Sequence, residues 1–523
     1  MSTIDHPENY LLFPLTTMLD KDTRMKRIGF KRTAAVAGAF LLMLIALCVP
    51  GVVAQDEPHT FHNPLNASGG DDPWLTYYDG YYYLANTTWT SEMFMRKSKT
   101  LSGLKVAKPQ LIYKETEPSR CCNMWAPEFR LLDGPDGKHW YFYYTAGTAG
   151  SFDNQHSHVL ESAGTDPMGP YTYKGRLFDP TNDVWSIDGG VLQLNDKLYF
   201  LFSAWIGNLQ SIFIAPMSNP WTISGPRAVL SKPTLAWEQD GTPVNEGPVA
   251  LQHDGKTFVI YSASFCGTPD YKLGMLTYNG GDVLDTNSWV KNPEPVFQRS
   301  DENSVFGPGH NGFFQSPDGK EDWIVYHANS AVGDVCLPTR TTRVQKFTWN
   351  ADGSPNFGVP VSTTMDIPNP SGDDGVDPLP QFVREPAVRL KSFQDPTKYI
   401  NHFTGRGKVS PLGEPATDFQ FALVKGLADE NAVSIEAVGH PGYYLINRNG
   451  TVWLAMVEDT DEYRAAATYT KQAGLANADG ISFEAFGQAG LYLIREKGLL
   501  NVKAVTTDEQ KAGATFLLEE VKN

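Results

Sequence analysis

The chain has 523 residues, 41% of them hydrophobic and 12% aromatic, with 47 Gly, 36 Pro, 23 Tyr and 12 Trp. That length suits two or three domains, and short strands separated by Gly and Pro turns fit the composition where a helical bundle does not. A formal net charge of −16 leaves no excess of Lys and Arg to displace counterions from a nucleic acid, whereas abundant Trp and Tyr suit neutral sugars, which stack on aromatic faces.

Residues 25–54 join a basic start, a long apolar run and a small residue, Ala54, ahead of Gln55. This predicts a secretory signal peptide, with Met25 as the start and residues 1–24 as an upstream extension within a non-mature 1–54 segment. An uncleaved membrane anchor is the rival reading, since the run is near spanning length; no later segment is apolar enough to span a bilayer. Export predicts disulfides among the remaining cysteines. Cys266–Cys336 is the preferred pair. Cys121 and Cys122 form either a vicinal disulfide or two free thiols.

The first strand signal is GDDPWLTYYDGYYYL, residues 70–84, two β-prone runs around an Asp-Gly turn. Asp is depleted from strands, so the leading carboxylates raise the question of what they face. A repeat answers it. Asp72 stands seven residues before Asp79-Gly80, Glu128 eight before Asp136-Gly137, Asp188 seven before Asn195-Asp196, Glu246 eight before Asp254-Gly255 and His310 eight before Asp318-Gly319. The five leading residues are separated by 56, 60, 58 and 64 positions. Four-stranded units of this length are blades of a β-propeller, predicted here as five blades over residues 56–370. Each innermost strand then starts at the same end of the axis, and Asp72, Glu128, Asp188, Glu246 and His310 converge in one funnel. Asp71 is expected in a loop. Polar residues lining a wet channel are the structural alternative, but crowded carboxylates are more often catalytic, because they shift one another's pKa.

Asn63-Pro64, Asp72-Pro73, Trp125-Ala126-Pro127-Glu128, Ser186-Ile187-Asp188-Gly189, Asn245-Glu246-Gly247-Pro248 and Gly309-His310-Asn311 occur in order over some 300 residues. In these motifs the region resembles glycoside hydrolase family 43, five-bladed arabinanases, arabinofuranosidases and xylosidases. The resemblance implies an inverting mechanism with Asp72 as general base, Glu246 as general acid and Asp188 as the residue that orients the acid and raises its pKa. A single displacement needs base and acid about 6.5–9.5 Å apart to admit water. The resemblance also gives His310 a water-mediated contact to a structural calcium or sodium ion, with a hydrogen-bonded channel histidine as the alternative. No cofactor is needed for the chemistry. The segment TRTTRVQKFTW, residues 339–349, is similar to the exo-acting α-1,5-L-arabinofuranosidases, so Arg340 or Arg343 is a candidate for sugar hydroxyls, the alternative being a structural salt bridge. Trp125, Trp74 and Glu128 are further candidates for the sugar pocket, with Trp89 and Trp185 nearby.

A Pro/Gly/Asp-rich stretch, residues 371–386, reads as a linker. Beyond it, over residues 387–523, three copies begin at Val388, Val433 and Ile481, spaced 45 and 48 residues apart. Three such units predict a β-trefoil. It resembles the arabinofuranose-binding carbohydrate-binding module family 42, whose lobe signature is matched by His402 and Asp418. The second lobe has Asn447 and Ala466 at those places and the third Arg495 and Gly513, so a largely structural trefoil is the alternative there. The whole is read as an all-β, secreted, monomeric exo-α-L-arabinofuranosidase acting on arabinan, arabino-oligosaccharides or arabinoxylan. An endo-arabinanase or β-xylosidase on the same scaffold, or a non-catalytic glycan-binding protein, are the rivals.

Overall fold

The structure, a computed structural model, describes residues 59–521 apart from 68, 335, 337–338, 380–386, 404, 414–415, 439–441 and 459. The signal-peptide and extension readings lie outside the described residues. No helix among the described residues is long and apolar enough to cross a membrane.

Five antiparallel sheets follow in chain order, starting at Trp74–Tyr78, Cys122–Gly134, Ile187–Leu194, Asn245–His253 and Phe306–Gln315. Each pairs outward strand by strand, four strands per blade, with a fifth short strand, Ala228–Ser231, on the third. The first hairpins are tight because their turn residues accept positive φ. Asp79-Gly80 (47° and 80°), Asn195-Asp196 (52° and 58°) and Asp254-Gly255 (44° and 76°) take the left-handed pair of values that suits twisted strands. Between blades the apolar faces interlock. Trp74, Phe129, Trp140 and Phe142 fill the first gap, and Val159, Phe200, Phe202 and Phe213 the second. This burial is the main cohesive term of the ring.

The ring is closed by the segment just before the first blade. Asn63 exchanges hydrogen bonds with Val344, at 2.9 and 3.0 Å, Leu65 N–H donates to Thr342 O at 2.8 Å, and Gly70 N–H to Arg340 O at 2.9 Å. Residues 60–61 pair with 367–368 outside it. This lacing brings Asp71 and Asp72 against Arg340, 268 residues later.

The stretch expected as a linker is pinned where it is described. Asp373 accepts Leu101 N–H at 2.7 Å, Asp377 pairs with Lys105 at 2.6 Å, and Ser371 N–H donates to Glu321 at 3.0 Å. Its acidic residues bind propeller donors, so composition that suggests a free tether here forms a strap.

Twelve strands between Val388 and Glu520 form the C-terminal domain, four per repeat. The first strand of each repeat pairs with the fourth of its own and the preceding one, and the three central hairpins pair with one another. That is a β-trefoil. Its core takes equivalent residues from each repeat: Leu390, Ile435 and Phe483, then Ile400, Leu445 and Leu493. A smaller apolar cluster joins propeller Val106 to Tyr444, Ile446 and Val457 of the trefoil.

Candidate active site

The five inner strands begin alike. Each has a left-handed residue near its start: Asp72 (φ 45°), Ala126 (49°), Asp188 (57°), Gly247 (55°) and His310 (46°), with Asn123 and Gly307 as second ones in blades two and five. In blades two to five the ladder register slips at that point. Bulges of this kind re-aim side chains, and a left-handed non-glycine residue costs about 1–3 kcal/mol, strain that is retained where function needs it. The strands meet around one axial cavity of about 20 Å³, lined by Pro73, Trp74, Ala126, Glu128, Asp188, Gly247, His310 and Asn311.

Asp72 sits at the seam between blades one and five. Its Oδ1 lies 3.3 Å from Arg340 Nη1, 3.3 Å from His327 Nδ1 and 3.4 Å from His310 Nδ1, and its Oδ2 accepts from the Thr87 hydroxyl at 2.6 Å. Burial opposes its charge, yet His310 and Arg340 hold its carboxyl well below the usual range. His327 Nδ1 accepts the Asp72 N–H at 3.2 Å, and burial beside Arg340 takes its pKa down to about 3, so it is a neutral ring. Arg340 also pairs with Asp71, Nε to Oδ1, at 2.7 Å. Asp71 is not a loop bystander, as expected above: it is fully buried, accepts Trp89 Nε1–H at 2.9 Å, and burial pushes it up to about 6.

Glu246 faces the funnel from blade four. Gln210 Nε2 donates to its Oε2 at 2.7 Å and the Tyr271 hydroxyl to its Oε1 at 2.9 Å. Tyr271 reaches it only because residue 309 is glycine: a Cβ there would stand 2.3 Å from the Tyr271 ring. Burial raises Glu246 to about 7, with the Asp72 charge adding to it and the two donors opposing. Asp188 accepts Gly247 N–H at 3.0 Å, which fixes the turn following Glu246. Burial and the charge of Glu246 push its own carboxyl well above the usual range. The two carboxyls are therefore a pair that does not ionise twice near neutrality.

The other expected residues divide. Trp125 stands at the mouth, 5.1 Å from Trp89 and 5.0 Å from Phe152 between ring centroids, with Trp89 and Phe152 37% and 54% exposed. Arg340 is in the site, as partner of Asp72 and Asp71. Three candidates are corrected. Trp74 is core, packed on Phe129 and Trp140 with its Nε1–H on Phe129 O at 3.0 Å. Glu128 is a tie between blades: it pairs with Arg130 at 2.6 Å and accepts Val191 N–H at 2.9 Å, in a space that a Cβ on Gly190 would fill. Arg343 is fully buried on Thr341 and Ser330, at 2.9 and 2.7 Å, away from the carboxylates. Gln210, Tyr271, His327 and Thr87 were not singled out from sequence, being single polar residues on second and third strands or in loops. The sulfurs of Cys121 and Cys122 are joined, as are those of Cys266 and Cys336.

Among the described residues no three His, Cys, Asp or Glu side chains gather at metal-ligand distance. The buried Asn311 amide lines the axial cavity with no protein partner, and the cavity has room for about one water. A cation near His310 would thus be held through water, and would supply positive charge beside Asp72.

In the trefoil, His402 Nε2 lies 3.5 Å from Asp418 Oδ1, bringing the first-lobe pair together. Asn447 Oδ1 accepts Gly450 N–H at 2.8 Å, and Arg495 donates to Gln394 at 2.8 Å, so at these two positions side chains close turns and join repeats.

Residues 61–355 match the model of glycosyl hydrolases family 43, and residues 388–518 that of the alpha-L-arabinofuranosidase B domain. An extracellular exo-alpha-(1->5)-L-arabinofuranosidase of Streptomyces avermitilis is 36% identical over 426 residues, 79% of this chain and 82% of that protein. Alpha-L-arabinofuranosidase B of Pyricularia oryzae is 32% identical, over 84% of this chain and 89% of that protein. The crystal structure of an alpha-L-arabinofuranosidase from Lactobacillus brevis, 35% identical, superposes with a TM-score of 0.54 over 58% of this chain and 98% of that one. With its funnel of carboxylates and these relatives, the chain belongs to glycosyl hydrolases family 43.

Proposed function

We propose that the protein is an exported, monomeric, inverting exo-α-L-arabinofuranosidase that releases L-arabinose from arabinan or arabino-oligosaccharide ends. The observation that carries this is a pair of buried carboxyls held in opposite states around one funnel: Asp72 ionised among Arg340, His310 and His327, and Glu246 raised to about 7. Inverting hydrolysis needs one of each. Asp72 takes a proton from water as that water bonds to the anomeric carbon. Glu246 gives its proton to the departing oxygen as the glycosidic bond breaks. The protons return through solvent, and no bond to the protein forms. Asp188 positions Glu246 by holding Gly247 N–H and, when ionised, keeps the proton on the acid.

The exported state rests on the leader-like residues 25–54 and on relatives named extracellular. Arabinan as the polymer rests on those relatives' names and on the trefoil.

The test is time-resolved NMR on α-1,5-arabinobiose. The β-anomer of free L-arabinose is expected first; the α-anomer first would overturn the mechanism. Longer oligosaccharides as first products from debranched arabinan would favour the endo reading, and turnover of xylobiose instead the xylosidase reading.

A further inference from the structure

The acid's side of the funnel carries an aromatic surface that the chemistry above does not use. Trp205 and Gln210 face each other across the ladder of strands Lys197–Ile206 and Leu209–Asn219. Directly opposed residues project from the same face of a sheet. Gln210 is buried and donates to Glu246 at 2.7 Å and to Ser203 at 3.1 Å, two residues before Trp205 and so on that same face. Trp205 is therefore the outward neighbour of the residue that holds the acid. It is 41% exposed, and its ring lies 6.0 Å from that of Trp185. Trp185 is held in turn by donating Nε1–H to Phe152 O at 2.8 Å.

The acid must touch the bond's leaving oxygen, so the ground beyond it is where the leaving sugar goes. Next to the two indoles, and joined to them where Phe152 O receives the Trp185 Nε1–H, stand Trp89, Trp125 and Phe152, tied to Asp72 through Asp71 and Arg340. An exposed indole beside the glutamine that holds Glu246, with a half-buried second indole next to it, fits neutral furanose rings, which bring C–H faces and no charge.

We infer that Trp205 and Trp185 form a platform for sugars on the leaving side of the cleaved bond, so that the enzyme reads chain length beyond the terminal residue. This rests on the proposed arabinofuranosidase reading and adds the two residues that set preference for a chain over a disaccharide. Neither is a catalytic residue, since neither reaches the reacting atoms.

The experiment measures kcat/KM on linear α-1,5-arabino-oligosaccharides of two to five residues, together with inhibition by free L-arabinose, which reports the terminal-sugar pocket alone. For the unaltered enzyme kcat/KM should rise from the disaccharide to the trisaccharide. Trp205→Ala should remove about tenfold from longer substrates, the loss of one stacked ring, and flatten that rise. Its arabinose inhibition constant should not move. Trp185→Ala, in a different chain segment of the same platform, should flatten the same series and guards against one variant failing to fold. A variant pair that keeps the full rise overturns the platform, as does a matching loss in arabinose inhibition, which would place the indoles at the terminal sugar. An unaltered enzyme that cleaves the disaccharide but shows no rise also overturns it, leaving the function intact. Failure to cleave arabinobiose at all would instead sink the functional reading.

Discussion

Two buried glutamates, one in each domain, are pushed up to about 7, and they do unlike work. Glu246 is raised by burial in the company of Asp72, Asp188 and Arg340, at the open end of the propeller funnel. Glu436 is raised by burial alone, with the Gly442 N–H at 2.6 Å and Tyr444 as donors that oppose the shift. Glu484 repeats the latter contact with Gly490 at 2.6 Å, so this glutamate closes a turn in two of the three trefoil repeats; in the first, Lys391 stands in its place and pairs with Glu519. A perturbed carboxyl by itself therefore does not mark a site. Other titratable groups around it, and access to a substrate, do.

The widest separation should appear in turnover. Glu246→Gln is expected to lower kcat on arabinobiose by about 10²–10⁴-fold, the usual worth of a general acid, while Glu436→Gln stays within about twofold. Comparable losses would break the distinction. Next in size is binding to polymer. His402→Ala removes half of the His402–Asp418 pair and should abolish retention on an arabinan affinity gel, with turnover of arabinobiose unchanged; retention that survives would assign polymer binding to another lobe or to the propeller. A smaller effect belongs to pH. Activity requires Glu246 protonated and Asp72 ionised, so it should fall as pH rises through about 7. Where the pair's single charge rests on Asp188 it resists ionisation of Glu246, so Asp188→Asn should move this alkaline limb down by about one pH unit. An unmoved limb would confine Asp188 to positioning. The smallest effect is thermal. Glu436 has a folded pKa above its unfolded value, so its stabilising contribution is complete below the unfolded value and is lost as pH rises through about 7. Glu436→Gln cannot ionise, and its Tm should drop less between pH 5 and pH 8, by roughly a few °C. Parallel Tm profiles would show that Glu436 is not titrating in the fold.

How legible this was depended on which signal the backbone requires. The Asp-Gly and Asn-Asp turns had to be visible, because positive φ restricts the residues allowed there. Asp72, Asp188, Glu246 and His310 stood out because polar residues are unusual at the head of an inner strand. Aligning the blades on carboxylates brought Glu128 to the axial cavity, but two residues past the equivalent backbone position. The residue with equivalent backbone is Ala126, and Ala126-Pro127 matches Asp72-Pro73 and Gly247-Pro248; in these three blades the residue before proline, not the charge, marks the left-handed position. Arg340 and Arg343 could have been separated, since an odd offset along extended chain puts them on opposite faces. Trp74 was hidden by the density of core aromatics. Tyr271, Gln210 and His327 carried no signal, because what selects them is proximity across strands far apart in sequence.

The lacing that closes the ring has a consequence in time. Asp72 leaves the ribosome 268 residues ahead of Arg340, and the hydrogen bonds that bring them together belong to the last blade. A chain interrupted between residues 246 and 340 carries both Asp72 and Glu246, yet its Asp72 lacks the Arg340 cation that holds it ionised. The charged state that hydrolysis needs is therefore complete only once the final blade has met the first.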